Sequence, residues 1–276
     1  LFLYGKELAS FLDIKWIMKY PKHLIFPLAK YLSGFVKWLM DDANFIIFTF
    51  RDLTRFLAWI IELPYNLVLS LISKGFLSGQ GQDAVEILSP LSWVSVIAII
   101  MFMALYTKDK LLVFLVFFAF LYLAIFGQWK SSMVTLSSII IAVPIGVIIG
   151  LFLGILSYKS EILEKIISPI LDLMQTIPVF AYLVPILVMF GFGPVAALIA
   201  TIIYAMPPMV RTTLLALKNI DPQIKESGLM SGCTKRQLMW KVLIPTSKPT
   251  LMIGVNQVIM LSLNMVIIAS MIGAGG

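Results

Sequence analysis

Five stretches of this chain carry no charged residue: Ile87–Thr107, Leu111–Trp129, Ser131–Tyr158, Leu173–Val210 and everything from Pro249 to Gly276. In lipid, backbone N–H and C=O groups must be satisfied within the protein, and an α-helix satisfies its own. A spanning helix needs roughly 20 mostly apolar residues. Leu173–Val210 is long enough for two, with Gly191-Phe192-Gly193-Pro194 as the turn between them. Spans are therefore expected near 92–106, 111–128, 133–157, 167–190, 194–216 and 250–271. The implied fold class is all-α, a polytopic membrane protein. Only 13% of residues are charged, about half the ~25% of a soluble domain.

Net charge is +7, but the basic residues cluster in loops, where they report orientation. A nucleic-acid partner would need a basic, aromatic-studded soluble face, and none is present. Residues 211–248 hold Arg211, Lys218, Lys225, Lys235, Arg236, Lys241 and Lys248 against Asp221 and Glu226. That loop is expected inside the cell, together with 107–110 and 158–166, leaving 129–132 and 191–193 outside. One cysteine, Cys233, and one histidine, His23, leave no material for a disulfide, a multi-cysteine metal site or most catalytic triads. No catalytic or metal site is expected. His23 reads as a polar tip at the membrane interface, Cys233 as idle, and Asp41-Asp42 as a surface turn.

Residues 1–90 differ from the rest. They interleave Lys6, Lys15, Lys19, Lys22, Lys30, Lys37, Arg51 and Arg55 with Trp16, Trp38 and Trp59, a pattern that suits amphipathic helices on the membrane surface. Phe56–Ile72 has the length of a span, but Glu62 and Pro64 interrupt it, and it is not counted as one. Ser73–Glu86 then reads as an exposed linker rich in Gly and Gln. The domains expected are 1–90 as the amphipathic N-terminal region, 91–130 as peripheral transmembrane helices and 131–276 as a core, with an elbow at 218–248. The start at Leu1 and the end at GAGG have the look of edges of a longer protein.

The elbow carries the most turn chemistry. Asp221-Pro222 is a helix start, N-cap then first helical position. Gly232 sits where a C′ glycine ends a helix. Thr234 with Gln237 is a capping-box signature. A second short helix over about 235–243 presents Leu238, Met239 and Val242 on one side, and Pro245 and Pro249 close it. A helix–glycine–helix knob, basic outside with one apolar stripe, is shaped to be gripped by a partner protein; the plain alternative is a loop that happens to be helical.

Glu226-Ser227-Gly228, three residues, Gly232, nine residues and then Val242-Leu243-Ile244-Pro245 resembles the EAA motif of ABC-importer permeases, E-A-A-x3-G-x9-I-x-L-P. Glu, Gly and Pro match in spacing; Ser and Gly stand for the two alanines. Gly228 in a helix interior is expected to cost about 1 kcal/mol against Ala. Ser168–Thr213 and Gly254–Gly276 further resemble the permease subunits of glycine betaine/proline (quaternary amine) importers, and the similarity extends over about 131–276. The resemblance implies a type I ABC importer permease fold in the cell (inner) membrane. It implies uptake of a small compatible solute such as glycine betaine, proline betaine, choline or trimethylamine N-oxide. The implied partners are an ATP-binding ABC subunit, a second permease copy (a homodimer), an external substrate-binding protein and membrane lipid. Glu226, Ser227, Gly228, Gly232, Leu238, Val242 and Pro245 would couple to the ATPase. The family's last spanning helix would follow GAGG. Rival readings are an ABC permease for methionine, sulfonate or another small solute, and a secondary transporter, which would need intramembrane charge and internal repeats.

No G-x-x-x-x-G-K-[ST] pattern occurs, so ATP and Mg are expected on the partner, with no cofactor in this chain and no enzyme activity of its own. Gly146, Gly150 and Gly154 form a doubled G-x-x-x-G, chiefly a helix-packing signal. Candidates for a translocation path are Asp172, Gln175, Tyr182, Tyr204, Asn256 and Asn264. Asp172 is either an intramembrane carboxylate with a role or a group near the inner face, hydrated or paired with a lysine. Asn256, Gln257 and Asn264 either bridge helices or line a wet path. Phe180, Tyr182 and Tyr204 either pack or offer cation–π faces. Pro178, Pro185, Pro207 and Pro208 are expected to break their spans. The cargo that the resemblance implies is neutral or singly cationic, so the path need not offer a fixed counter-charge, and the scarcity of ionisable residues in Leu173–Val210 agrees with that.

Overall fold

The computed structural model describes residues 48–78 and 85–271, with Tyr31, Gly34, Trp38, Asn44 and Phe45. The expectations for His23, for Asp41-Asp42, for most of the N-terminal amphipathic region and for the closing GAGG fall outside these residues. The chain forms two compact units, residues 1–53 and 54–276. In the first, β1 (Asn44–Phe45) pairs antiparallel with β2 (Phe48–Thr49). Helix α1 (Phe50–Leu69) begins with a reciprocal cap: Asp52 N–H donates to Thr49 Oγ1 (3.2 Å) and Thr49 N–H to Asp52 Oδ2 (3.1 Å).

α1 runs through Glu62 and Pro64 and winds on as a wider π-helical turn over Ser70–Lys74. The sequence reading stopped at those two residues. The structure shows one 25-residue helix with the length and composition to cross a membrane. Tyr65 and Leu69 hold it, packed with Ala142, Leu198 and Ile202. The expected Gly/Gln linker is also partly regular: β3 (Phe76–Ser78) pairs antiparallel with β4 (Val85–Leu88).

The remaining elements are helical, as composition demands: α2 (Trp93–Leu105), α3 (Lys110–Ile125), α4 (Trp129–Lys159), α5 (Glu161–Thr176), α6 (Val179–Phe190), α7 (Pro194–Lys218), α8 (Pro222–Met230), α9 (Lys235–Gln237), a π-helical segment Leu238–Leu243, and α10 (Ile244–Met271). Side-chain oxygens cap several starts, Ser92 for α2, Asp109 for α3 and Ser160 for α5. With 13 and 16 residues, α2 and α3 fall short of a full span.

Two expected boundaries move. The span at 167–190 is a pair: α5 and α6 meet at a bend of 103°. Ile177 precedes Pro178 and takes extended backbone (φ −71°, ψ 130°), the conformation a following proline favours. Of the four prolines expected to break spans, this one alone does so; Pro185, Pro207 and Pro208 lie inside continuous helices. Nor do Pro245 and Pro249 close the elbow. Helix runs from Lys235 to Met271 without interruption. The π-helical segment ends at Leu243, two residues before Pro245, so the proline ring meets a ladder that is already changing its winding.

α7 is the central helix, with α4 and α10 against it. Ala205, Met209, Ala216, Leu251 and Val258 form one buried cluster between them. The approach is close because glycines face α7. A Cβ on Gly150 would lie 2.6 Å from Met209 Cβ and 3.2 Å from the Met206 carbonyl oxygen. On Gly154 it would lie 2.5 Å from Thr213 Cβ and 2.9 Å from the Val210 carbonyl oxygen. At Gly146 the nearest atom, Val258 Cγ1, is an ordinary 3.5 Å away. The doubled G-x-x-x-G is thus a helix contact in two of its three positions.

Alanine substitution should separate these positions. Gly150→Ala and Gly154→Ala must push backbones apart and are expected to cost about 1–3 kcal/mol each. Gly146→Ala is expected to stay within about 0.5 kcal/mol. Thermal unfolding of the detergent-solubilised protein reads the difference; equal losses at all three would refute the packing assignment.

Candidate functional site: a helical elbow and a charged cavity

The elbow folds largely as its turn chemistry requires. Asp221 Oδ1 accepts from Gln223 N–H (2.9 Å) with Pro222 at the first helical position. At the end of α8, Gly232 N–H donates to the Leu229 carbonyl (2.9 Å) and Cys233 N–H to the Gly228 carbonyl (3.2 Å). These two bonds are the Schellman pattern, and they need a C′ residue in the left-handed region; Gly232 has φ +77°. Thr234 and Gln237 complete the capping box.

The apolar stripe does not face outward. Met239 and Leu243 are buried with Ile155, Leu217 and Ile220, and Leu238 packs against the same cluster. Val242 is half-buried. The stripe therefore fastens the elbow to the ends of α4 and α7. Gly228 is buried too: a Cβ there would lie 2.6 Å from Leu238 Cδ1. Its cost in helix propensity is offset by this close approach of the elbow's two limbs. What the elbow leaves exposed is Glu226, Ser227, Gly232 and Pro245, together with the apolar Leu229, Met230 (90%) and Trp240 (55%).

The path candidates separate into two groups. Gln175 and Tyr204 line one cavity of about 400 Å³, with Met174, Pro208, Arg211, Thr212, Leu215, Gln257 and Leu261. Asp172 reaches its edge by an ion pair with Arg211. The partner anticipated for Asp172 was a lysine, and Arg211 was counted among loop charges. In the structure α7 continues to Lys218, which places Arg211 inside the helix. Lys218 Nζ makes a second tie to α5 by donating to Glu164 Oε1 (2.6 Å). Asn256 and Asn264 are exposed and do not line the cavity; the amide on α10 that does is Gln257. Asn264 lies seven residues on from Gln257, on the same helical face, whereas Asn256 is turned off it.

Tyr182 has a structural task. It is buried, its ring meets Tyr204 edge-on at 5.6 Å, and its hydroxyl donates to the Met174 carbonyl. That carbonyl is the one Pro178, lacking an N–H, leaves without its i+4 donor. The hydroxyl eight residues away stabilises the break between α5 and α6. Nothing local in the sequence signals this, because the pairing exists only once the chain has turned. Tyr182→Phe is expected to cost about 1–3 kcal/mol in thermal unfolding, against little for Tyr204→Phe; equal effects would refute the role.

Comparison with known proteins follows from this geometry. Residues 146–276 match the family described as "Binding-protein-dependent transport system inner membrane component". The chain is 41% identical over 231 residues to the trimethylamine N-oxide transport system permease protein TmoV of Pelagibacter ubique, covering 82% of this chain and 32% of that protein. It is 33% identical over 255 residues to the glycine betaine/proline betaine transport system permease protein ProW of Escherichia coli, covering 92% and 67%. Over 148 residues it is 45% identical to the glycine betaine/carnitine transport permease protein GbuB of Listeria monocytogenes, covering 54% and 52%. The chain thus spans about a third of the length of TmoV and two thirds of ProW. On these matches the chain belongs to the family of binding-protein-dependent transport system inner membrane components.

Proposed function

We propose that this chain is the membrane-spanning subunit of an ATP-driven importer for a small zwitterion or quaternary amine of the glycine betaine, proline betaine, choline or trimethylamine N-oxide class. The elbow is the observation that carries the reading. It buries its own apolar stripe and still exposes Leu229, Met230 and Trp240 beside Glu226 and Ser227. Large apolar side chains exposed on a basic loop mark a protein contact. The occupant is the ATPase subunit, which binds ATP and Mg. Glu226, Ser227, Gly232 and Pro245 belong to the contact; Gly228, Leu238 and Val242 hold its shape. A second copy of the chain completes the path, and an external binding protein delivers the solute. Residues 131–276 serve as the permease core and 91–130 as peripheral helices. The names of the relatives favour this solute class over methionine or sulfonate.

Glu226→Lys and Gly232→Trp are expected to leave insertion intact while uncoupling ATP hydrolysis from uptake or releasing the ATPase. Co-purification and uptake in liposomes measure both. Normal uptake by Gly232→Trp would sink the assignment.

Orientation follows the charges. In a Cys233→Ser background, single cysteines at Asp109, Ser160 and Arg236 are expected to label only from the cytoplasmic side, and those at Gln128 and Phe192 only from outside. The reverse pattern would place the elbow beyond reach of any ATPase.

A further inference from the structure

The run from Leu173 to Val210 has no charge, and the residues that bound it are Asp172 and Arg211. The fold brings these two together as an ion pair at the cavity. Both side chains remain open to the surroundings, 65% exposed for Asp172 and 38% for Arg211. Both charges keep open surface beside the cavity, so a third group can reach each of them without the helices separating. The cavity it borders has a volume within the range of small-molecule sites, roughly 300–1,000 Å³. Its wall adds the Tyr204 ring, the amides of Gln175 and Gln257, and the Thr212 side chain. Pro208 also lines it, and lacks the N–H that would otherwise occupy the Tyr204 carbonyl.

We propose that Asp172 and Arg211 form a zwitterion-exchange pair, in which a solute bearing a carboxylate and a quaternary ammonium replaces each residue's partner. Arg211 takes the solute carboxylate through its guanidinium fork. Asp172, the Tyr204 face and the Tyr204 carbonyl meet the ammonium. The exchange conserves charge: the pair is neutral before the solute enters, each group is compensated while it is bound, and the pair re-forms when it leaves. A bare cation satisfies Asp172 and leaves Arg211 without an anion. The inference rests on the solute class proposed above and adds the residues that would select the zwitterion within it.

The test uses the transporter assembled with its ATPase and binding protein in liposomes, in a Cys233→Ser background with Leu215→Cys as a reporter on the cavity rim. Protection of that cysteine from a small permeant thiol reagent is measured with glycine betaine and with choline, which has the ammonium and no carboxylate. Glycine betaine is expected to protect at a concentration about tenfold lower than choline. Arg211→Gln should remove that advantage and Arg211→Lys should keep part of it. Lys218→Gln, which cuts the other tie between α5 and α7 away from the cavity, should leave it intact. Asp172→Asn should weaken the remaining protection by choline, an arm that still reads the pair if Arg211→Gln fails to assemble. Equal protection by the two solutes, an advantage that survives Arg211→Gln, loss of it in Lys218→Gln, or no change for choline in Asp172→Asn would each overturn the inference. Protection by neither solute would also overturn the inference, whereas failure of the same liposomes to take up either solute would overturn the proposed solute class.

Discussion

The close approach of α4 to α7 is the contact on which the rest of this fold depends. Between helices surrounded by lipid there is little hydrophobic drive to associate, so van der Waals contact and polar ties must supply the attraction. Gly150 and Gly154 allow α7 backbone to come within reach where any Cβ would collide. α10 approaches the same helix through Gly254, where a Cβ would lie 2.8 Å from Met209 Sδ. Met209 thus touches both neighbours of α7. The elbow hangs from the far end of this triple contact, its Met239 and Leu243 packed on Ile155 and Leu217.

This arrangement links the elbow to the cavity mechanically. Arg211 and Leu215 line the cavity, and Leu217, two residues beyond Leu215, anchors the elbow. Both belong to one continuous helix. Arg211 lies about 10 Å by helical rise from the Lys218 end of α7, the end on which the elbow is anchored. One continuous helix thus carries residues of both the cavity and the elbow's anchorage.

The bend between α5 and α6 sets the cavity's other wall. Ile177, ahead of Pro178, leaves helical backbone, and the Tyr182 hydroxyl compensates the carbonyl that the proline strands. The turn brings Met174 and Gln175 against Tyr204 and Arg211. A straight helix through 167–190 would carry Gln175 and Tyr182 along one axis and build no such wall.

Much of this protein was legible in its sequence because the signals are local. Uncharged runs marked most of the apolar helices, and the side-chain caps at Asp221 and Thr234 with the left-handed Gly232 shaped the elbow, since each acts within a few residues of itself. The spacing of Glu226, Gly232 and Pro245 pointed to the family for the same reason. What remained hidden depends on residues far apart in the chain. Pro64, Pro207 and Pro245 look like breakers, yet helices pass through them because neighbouring packing outweighs one lost bond. Leu238 and Val242 look like a free stripe until Gly228 and α7 cover it. Asp172 and Arg211 stand 39 positions apart, and no periodicity relates them. Sequence determined what each segment is; the tertiary structure decided which charges meet, because only a closed fold brings the two ends of an uncharged run together.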